Sequence, residues 1–123
     1  MKDNFGLHRN IHPNHLSDGK VTMEAFSASS AEDYELSVDC EKIWSGRTSY
    51  EHRTVTLEKK SVGVWTIPRE EVSKLKCPIK ADREDNNPSH SLIVYPKKDR
   101  AKRRDTARRL AAFANEGAVS RIP

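Results

Sequence analysis

At 123 residues, with 35% hydrophobic and 33% charged side chains, the chain is sized for one domain around one modest core. No apolar run approaches the roughly 18–20 residues that cross a bilayer, and none opens the chain as a secretion signal does, so the expectation is a cytoplasmic protein without membrane contact. The net charge of +4 is unevenly placed: residues 97–109 hold eight Lys or Arg against two Asp, which leaves the remainder net negative and points to a partner for the basic segment.

Residues 5–11 (FGLHRNI) predict a short strand with Phe5, Leu7, Arg9 and Ile11 on one side, where Arg9 requires a polar partner. The next stretch, HPNHLSDG, breaks regular structure, and residues 20–26 fit either a strand or a helical turn. Residues 27–33 read as a loop with Ser30 as a cap. A strand is predicted over 34–38. After it, Asp39 is placed as the cap of a short helix through CEKIWS, turning Ile43 and Trp44 inward.

Within residues 46–60, Arg53, Val55 and Leu57 alternate with Thr54, Thr56 and Glu58, which predicts another strand. Residues 61–67 form the clearest strand. Pro68 is placed to open a helix through PREEVSKL, with Glu70 and Glu71 in the first turn and Lys74 in the last. Residues 77–81, interrupted by Pro78, fit an edge strand; DREDNNP is a polar loop and 91–95 a strand. A final helix over 99–115, stopped by Gly117, shows Ala107, Leu110, Ala111 and Ala114 at i, i+3, i+4, i+7. Its first half has almost no apolar face and is expected to project from the body or line a charged partner.

The fold class is therefore α+β: a mixed or mainly antiparallel sheet of about five strands with two or three helices and a C-terminal basic helix. Residues 1–117 form the single domain and 118–123 a flexible tail. The expected core is Leu7, Phe26, Leu36, Val38, Val62, Val64, Ile67, Leu92, Val94, Leu110 and Phe113, with Trp65 partly buried.

Three groups of side chains bear on chemistry. His8, His12 and His15 have the spacing of a helical metal site, but Pro13 and Asp18-Gly19 forbid the helix, so no metal and no cofactor is expected. Arg9, Ser37 and His90 lie in or beside strands and suit phosphate-ester or nucleotide chemistry, Arg holding a phosphate and His moving a proton. Tyr50, Glu51, His52 and Arg53 form a polar tetrad without a motif. Cys40 and Cys77 fit neither a CxxC pair nor a disulfide framework and read as reduced, buried thiols. P-loop, GxGxxG, GxSxG and HExxH signatures are absent, which removes support for ATP-dependent, dinucleotide-dependent and zinc-hydrolase readings.

The stretches HRNIHPNHLSDGKVTMEAF, LSV, SVGVWTIPREEV and NPSHSLIV resemble small uncharacterised bacterial proteins of unknown function. A second resemblance is to ADP-ribosyltransferase-type enzymes, whose early-strand Arg or His and later-strand Ser are matched by Arg9 (or His8) and Ser37. Glu51, Glu70 and Glu71 lack that family's context.

In the basic helix, Arg100, Arg104 and Arg108 share one row, surrounded by Lys97, Lys98, Lys102, Arg103 and Arg109. The function expected first is a noncatalytic bacterial accessory or regulatory protein that binds nucleic acid or a ribonucleoprotein through these residues. One alternative is a small phosphate- or nucleotide-handling enzyme using Arg9, Ser37 and His90. Another is an immunity or inhibitor protein that docks the basic helix on an acidic protein.

Overall fold

Short runs of alternating side chains build one central sheet. The computed structural model describes residues 5–116, and the tail expected at 118–123 lies outside them. Strands β1 (Gly6–Asn10), β4 (Glu35–Cys40), β5 (Val64–Pro68), β6 (Ile79–Ala81) and β7 (His90–Val94) form a five-stranded antiparallel sheet in the order β5-β1-β4-β7-β6. The fold is α+β, and Pro78 precedes an edge strand, as its missing amide hydrogen requires. Strands β2 (Leu16–Ser17) and β3 (Lys20–Val21) make a separate hairpin. Its turn residues Asp18 and Gly19 have φ of 52° and 77°, the left-handed pair that a two-residue hairpin needs.

Among the described residues three α-helices complete the fold: α1 (Gly46–Glu51), α2 (Arg69–Lys74) and α3 (Arg100–Glu116). Ala107, Leu110, Ala111 and Ala114 of α3 join Leu7, Leu36, Val38, Ile67, Ile93 and Tyr95 in one buried core cluster, with the helix packed on residues 23–26, β3 and β5. Small alanines bring the helix close to the sheet, and each fully buried Leu or Ile contributes about 1.5–3 kcal/mol. Cys40 and Cys77 are free, buried thiols, and burial pushes the Cys77 thiol pKa up. Among the described residues no helix is long and apolar enough to cross a membrane.

Several expectations change. Residues 46–60 are not a strand: α1 runs into a π-helical turn, His52–Thr56. Ser45 decides the start, its hydroxyl accepting the Thr48 amide as an N-cap. Asp39 caps no helix, because β4 continues through it to Cys40, and Ile43 is 46% exposed rather than inward. In β7 the core face carries Ser91 and Ile93, with Tyr95 just beyond; Leu92 and Val94 are only half-buried. Tyr95 fixes that choice by donating its hydroxyl to the Phe26 carbonyl at 2.5 Å in the core. Val62 and Phe113 are half-buried, and Trp65 is fully buried.

The first half of α3 does not project freely. The Arg103 guanidinium lies 4.0 Å from the Tyr34 ring centroid and donates to the Pro96 and Lys97 carbonyls. A cation on an aromatic face adds about 0.5–1 kcal/mol, so the basic segment is fastened at its centre.

Candidate functional site

The sheet face opposite α3 is polar. Alternation that sends Leu7, Leu36 and Val38 into the core sends His8, Asn10, Ser37 and Asp39 the other way. Over this face lie α1 and its π-helical turn, which bring Ser49, His52 and Arg53, while the loop before β7 brings Glu84, Asn87 and His90. Together they enclose a cleft of about 230 Å³, into which Lys59 also reaches.

A hydrogen-bonded chain sets the cleft floor. Ser49 donates to Asp39 at 2.5 Å, and Asn87 donates to the other Asp39 oxygen at 2.9 Å. Asn10 donates to the Ser49 hydroxyl and carbonyl at 3.2 and 3.3 Å, and Ser61 donates to Asn10 at 2.8 Å. Asn87 in turn accepts from the amide and hydroxyl of Ser89. Ser49, Asn87 and Ser89 are buried, so this network ties α1 and the loop before β7 to β4.

His8 is a structural member of the set. The Trp44 carbonyl only accepts, so Nε2 carries the proton at 2.9 Å, and Nδ1 accepts from the Thr66 hydroxyl at 2.8 Å. Both ring nitrogens are thereby used. His52 packs its ring on Trp44, with centroids 4.9 Å apart.

Arg9 lines the same cleft and is anchored, its Nε donating to the Ala25 carbonyl and one terminal nitrogen to the Ser37 carbonyl, each at 2.9 Å. Burial lowers its pKa from the ordinary arginine value. Arg53 differs. Its Nε is buried and meets no hydrogen-bond acceptor among the described residues. A buried donor left without a partner costs about 1–3 kcal/mol.

Beside the cleft, His90 Nδ1 lies 3.1 Å from an Asp82 carboxylate oxygen and 3.8 Å from a Glu84 oxygen. These three side chains offer donor atoms within 4.8 Å of one another.

The structure thus brings Arg9, Ser37 and His90 to one cleft, with His52 and Arg53 of the polar tetrad; Tyr50 and Glu51 are not among its lining residues. His12 and His15 sit apart from His8, with ring centroids 6.0 Å from each other, and His12 Nδ1 accepts the Asn14 amide. Asp39, Ser49, Asn10 and Asn87 were missed from sequence. Asp39 was within reach of it, two positions from Ser37 on the same strand face, and Asn10 lies two positions from His8 in the same way.

The eight basic residues of the last helix and its approach divide evenly. Lys97 pairs with Asp33 at 2.9 Å, Arg108 and Arg109 both pair with Asp105, and Arg103 is held on Tyr34. Lys98, Arg100, Lys102 and Arg104 form no ion pair among the described residues. Arg100 and Arg104 border two shallow depressions, one beside Met23 and one beside Tyr34. Asp99 pairs with none of them and instead caps the Lys102 amide at 2.9 Å. Comparison of the chain with protein-family models, curated proteins and solved structures finds no match.

Proposed function

We propose that the protein is a small phosphate- or nucleotide-handling protein whose cleft binds a phosphate-bearing molecule. The observation that carries this reading is a cleft lined by three cationic side chains, Arg9, Arg53 and Lys59, together with Ser37 and His90. At about 230 Å³ the cleft is smaller than the roughly 300–1,000 Å³ of sites that enclose drug-sized ligands. It suits a phosphoryl group with a few attached atoms, and a nucleoside would extend outside.

Calorimetric titration with inorganic pyrophosphate tests this. Wild type should bind, and Arg53→Gln should bind about 10–100-fold more weakly, the value of a charge-assisted hydrogen bond of about 1.5–3 kcal/mol. Absence of wild-type binding at millimolar pyrophosphate, or equal binding by the variant, sinks the reading.

A second reading, nucleic-acid contact through α3, rests on four cations, Lys98, Arg100, Lys102 and Arg104, that form no ion pair among the described residues. Four phosphate contacts give a log–log salt slope of about −3 to −4 on duplex DNA. Arg100→Ala/Arg104→Ala should remove about half of it. A wild type that fails to be retained on DNA or RNA at low salt ends this reading.

A further inference from the structure

Among the described residues three large apolar side chains are exposed, Ile43, Val55 and Leu57, and all come from the segment 43–57 that carries α1 and its π-helical turn. Exposed apolar side chains scattered over a surface need no explanation, whereas three from one short segment mark a place of contact. The backbone there is unusual as well. The Leu57 amide donates to the His52 carbonyl at 2.9 Å, five residues back, and such π turns are rare and frequent at functional sites. From this turn His52, Arg53 and Leu57 line the cleft, while Val55 and Thr56 line a second depression.

That depression, of about 410 Å³, is also lined by Trp44, Thr48, Glu51 and His52. His52 is the one residue that lines both hollows, so they adjoin across its ring. The ring packs on the half-buried Trp44, and its nitrogens make no hydrogen bond among the described residues. The two hollows differ in chemistry. The cleft presents Arg9, Arg53 and Lys59; the depression presents an indole, an imidazole and the Val55 methyl groups, and no Lys or Arg lines it. A ligand that spans them is anionic at one end and flat and apolar at the other.

A nucleotide has that form. Every base offers a π face that an aromatic side chain can stack on, and its phosphates suit the cationic hollow. Size agrees: the cleft alone is too small for a nucleoside, whereas the depression beside it falls within the roughly 300–1,000 Å³ of small-molecule sites. We propose that the protein binds a nucleotide across His52, with the phosphates in the cleft and the base stacked on Trp44 against Val55. His52 then faces the sugar, where its unbonded nitrogens meet a ribose hydroxyl or a phosphate oxygen. The inference rests on the phosphate reading above and names the rest of that ligand.

The test uses the full chain, with ADP and pyrophosphate compared by calorimetry and by tryptophan fluorescence. Of the two tryptophans Trp65 is fully buried and Trp44 is not, so a stacked base should change the emission of Trp44 while pyrophosphate should not. Wild type should bind ADP about tenfold or more tighter than pyrophosphate. Trp44→Leu keeps apolar bulk beside His52; it should weaken ADP about 5–100-fold, the worth of one stacked base, and leave pyrophosphate unchanged. Val55 is 71% exposed, so Val55→Ser should keep the wild-type thermal midpoint and weaken ADP alone by about 3–10-fold. Equal wild-type affinities for ADP and pyrophosphate, both needing Arg53, keep the phosphate reading and overturn the base site. ADP binding that needs Trp44 and Val55 but ignores Arg53→Gln keeps the base site and overturns the phosphate reading. Failure of wild type to bind ADP at millimolar concentration overturns the proposal.

Discussion

A terminal nitrogen of Arg9 donates to the Ser37 carbonyl at 2.9 Å, taking an acceptor that strand pairing leaves open. The β1–β4 ladder pairs Leu7 with Cys40 and His8 with Asp39 and stops there. Continued antiparallel pairing would set Asn10 opposite Ser37. The strands instead part, and the guanidinium fills the opening, its Nε satisfying Ala25. Main-chain carbonyls in a protein interior need partners, so Arg9 replaces part of a ladder.

Arg9→Met should therefore destabilise the fold by about 2–6 kcal/mol, because it orphans two carbonyls at about 1–3 kcal/mol each while keeping the chain's bulk. Arg9→Lys should recover only part of this, since a single ammonium cannot reach two acceptors with a planar fork. Urea denaturation reads both; an unchanged midpoint for Arg9→Met contradicts the account.

The Ser49–Asp39 hydrogen bond couples α1 to the sheet, so its worth is measurable as a pair. A double-mutant cycle of Ser49→Ala and Asp39→Ala should give a coupling of about 1.5–3 kcal/mol, the range for a charge-assisted bond. The Asp39→Ala single variant should be the worse one, because it also orphans the buried Asn87 amide. Additive effects would mean that α1 is held by other contacts.

How far these relationships were legible in the sequence depends on the type of contact. Arg9 on an apolar strand face announced a need for a partner, but its partners are main-chain carbonyls, which carry no side-chain signature. In SLIVY both faces of the strand are apolar, so period-2 alternation could not choose Ile93 over Leu92 and Val94. Tertiary contacts made by Tyr95 and α3 chose it. Residues 53–58 alternate like a strand, yet they follow a helix started by the Ser45 cap and anchored through Ser49. The cluster of Asp82, Glu84 and His90 is closed by a loop, and its spacing matches no metal motif. The basic helix was plain as a charge pattern, whereas the neutralisation of half its cations depends on Asp33, Tyr34 and the rotamers around Asp105.

Asn115 supplies another contact without a sequence pattern. Its side chain accepts the Val21 amide at 2.8 Å and donates to the Val21 carbonyl at 2.9 Å, standing in for a third strand beside the β2–β3 hairpin. Asn115→Ala should cost about 1–3 kcal/mol and raise hydrogen exchange at the Val21 amide well above that of the central sheet. Exchange at Val21 that stays as slow as in wild type would show that the hairpin is held by its core contacts alone.

Asp105 carries a pH prediction of definite sign. Hydrogen bonds from Arg109 and Arg108 hold its pKa below the ordinary carboxylate value of 3.8. The unfolded chain takes up the proton at a higher pH than the folded one, so the stabilisation is complete above the ordinary value. It is lost as pH falls through the depressed folded-state value. Asp105→Asn should remove this component, making the variant's unfolding midpoint less sensitive to acidification across that window than wild type. The side chain is 40% exposed, so the effect should shrink in high salt. The same substitution frees Arg108 and Arg109. If α3 meets nucleic acid, Asp105→Asn should steepen the salt slope by about one to two. A shallower slope would place the contact elsewhere.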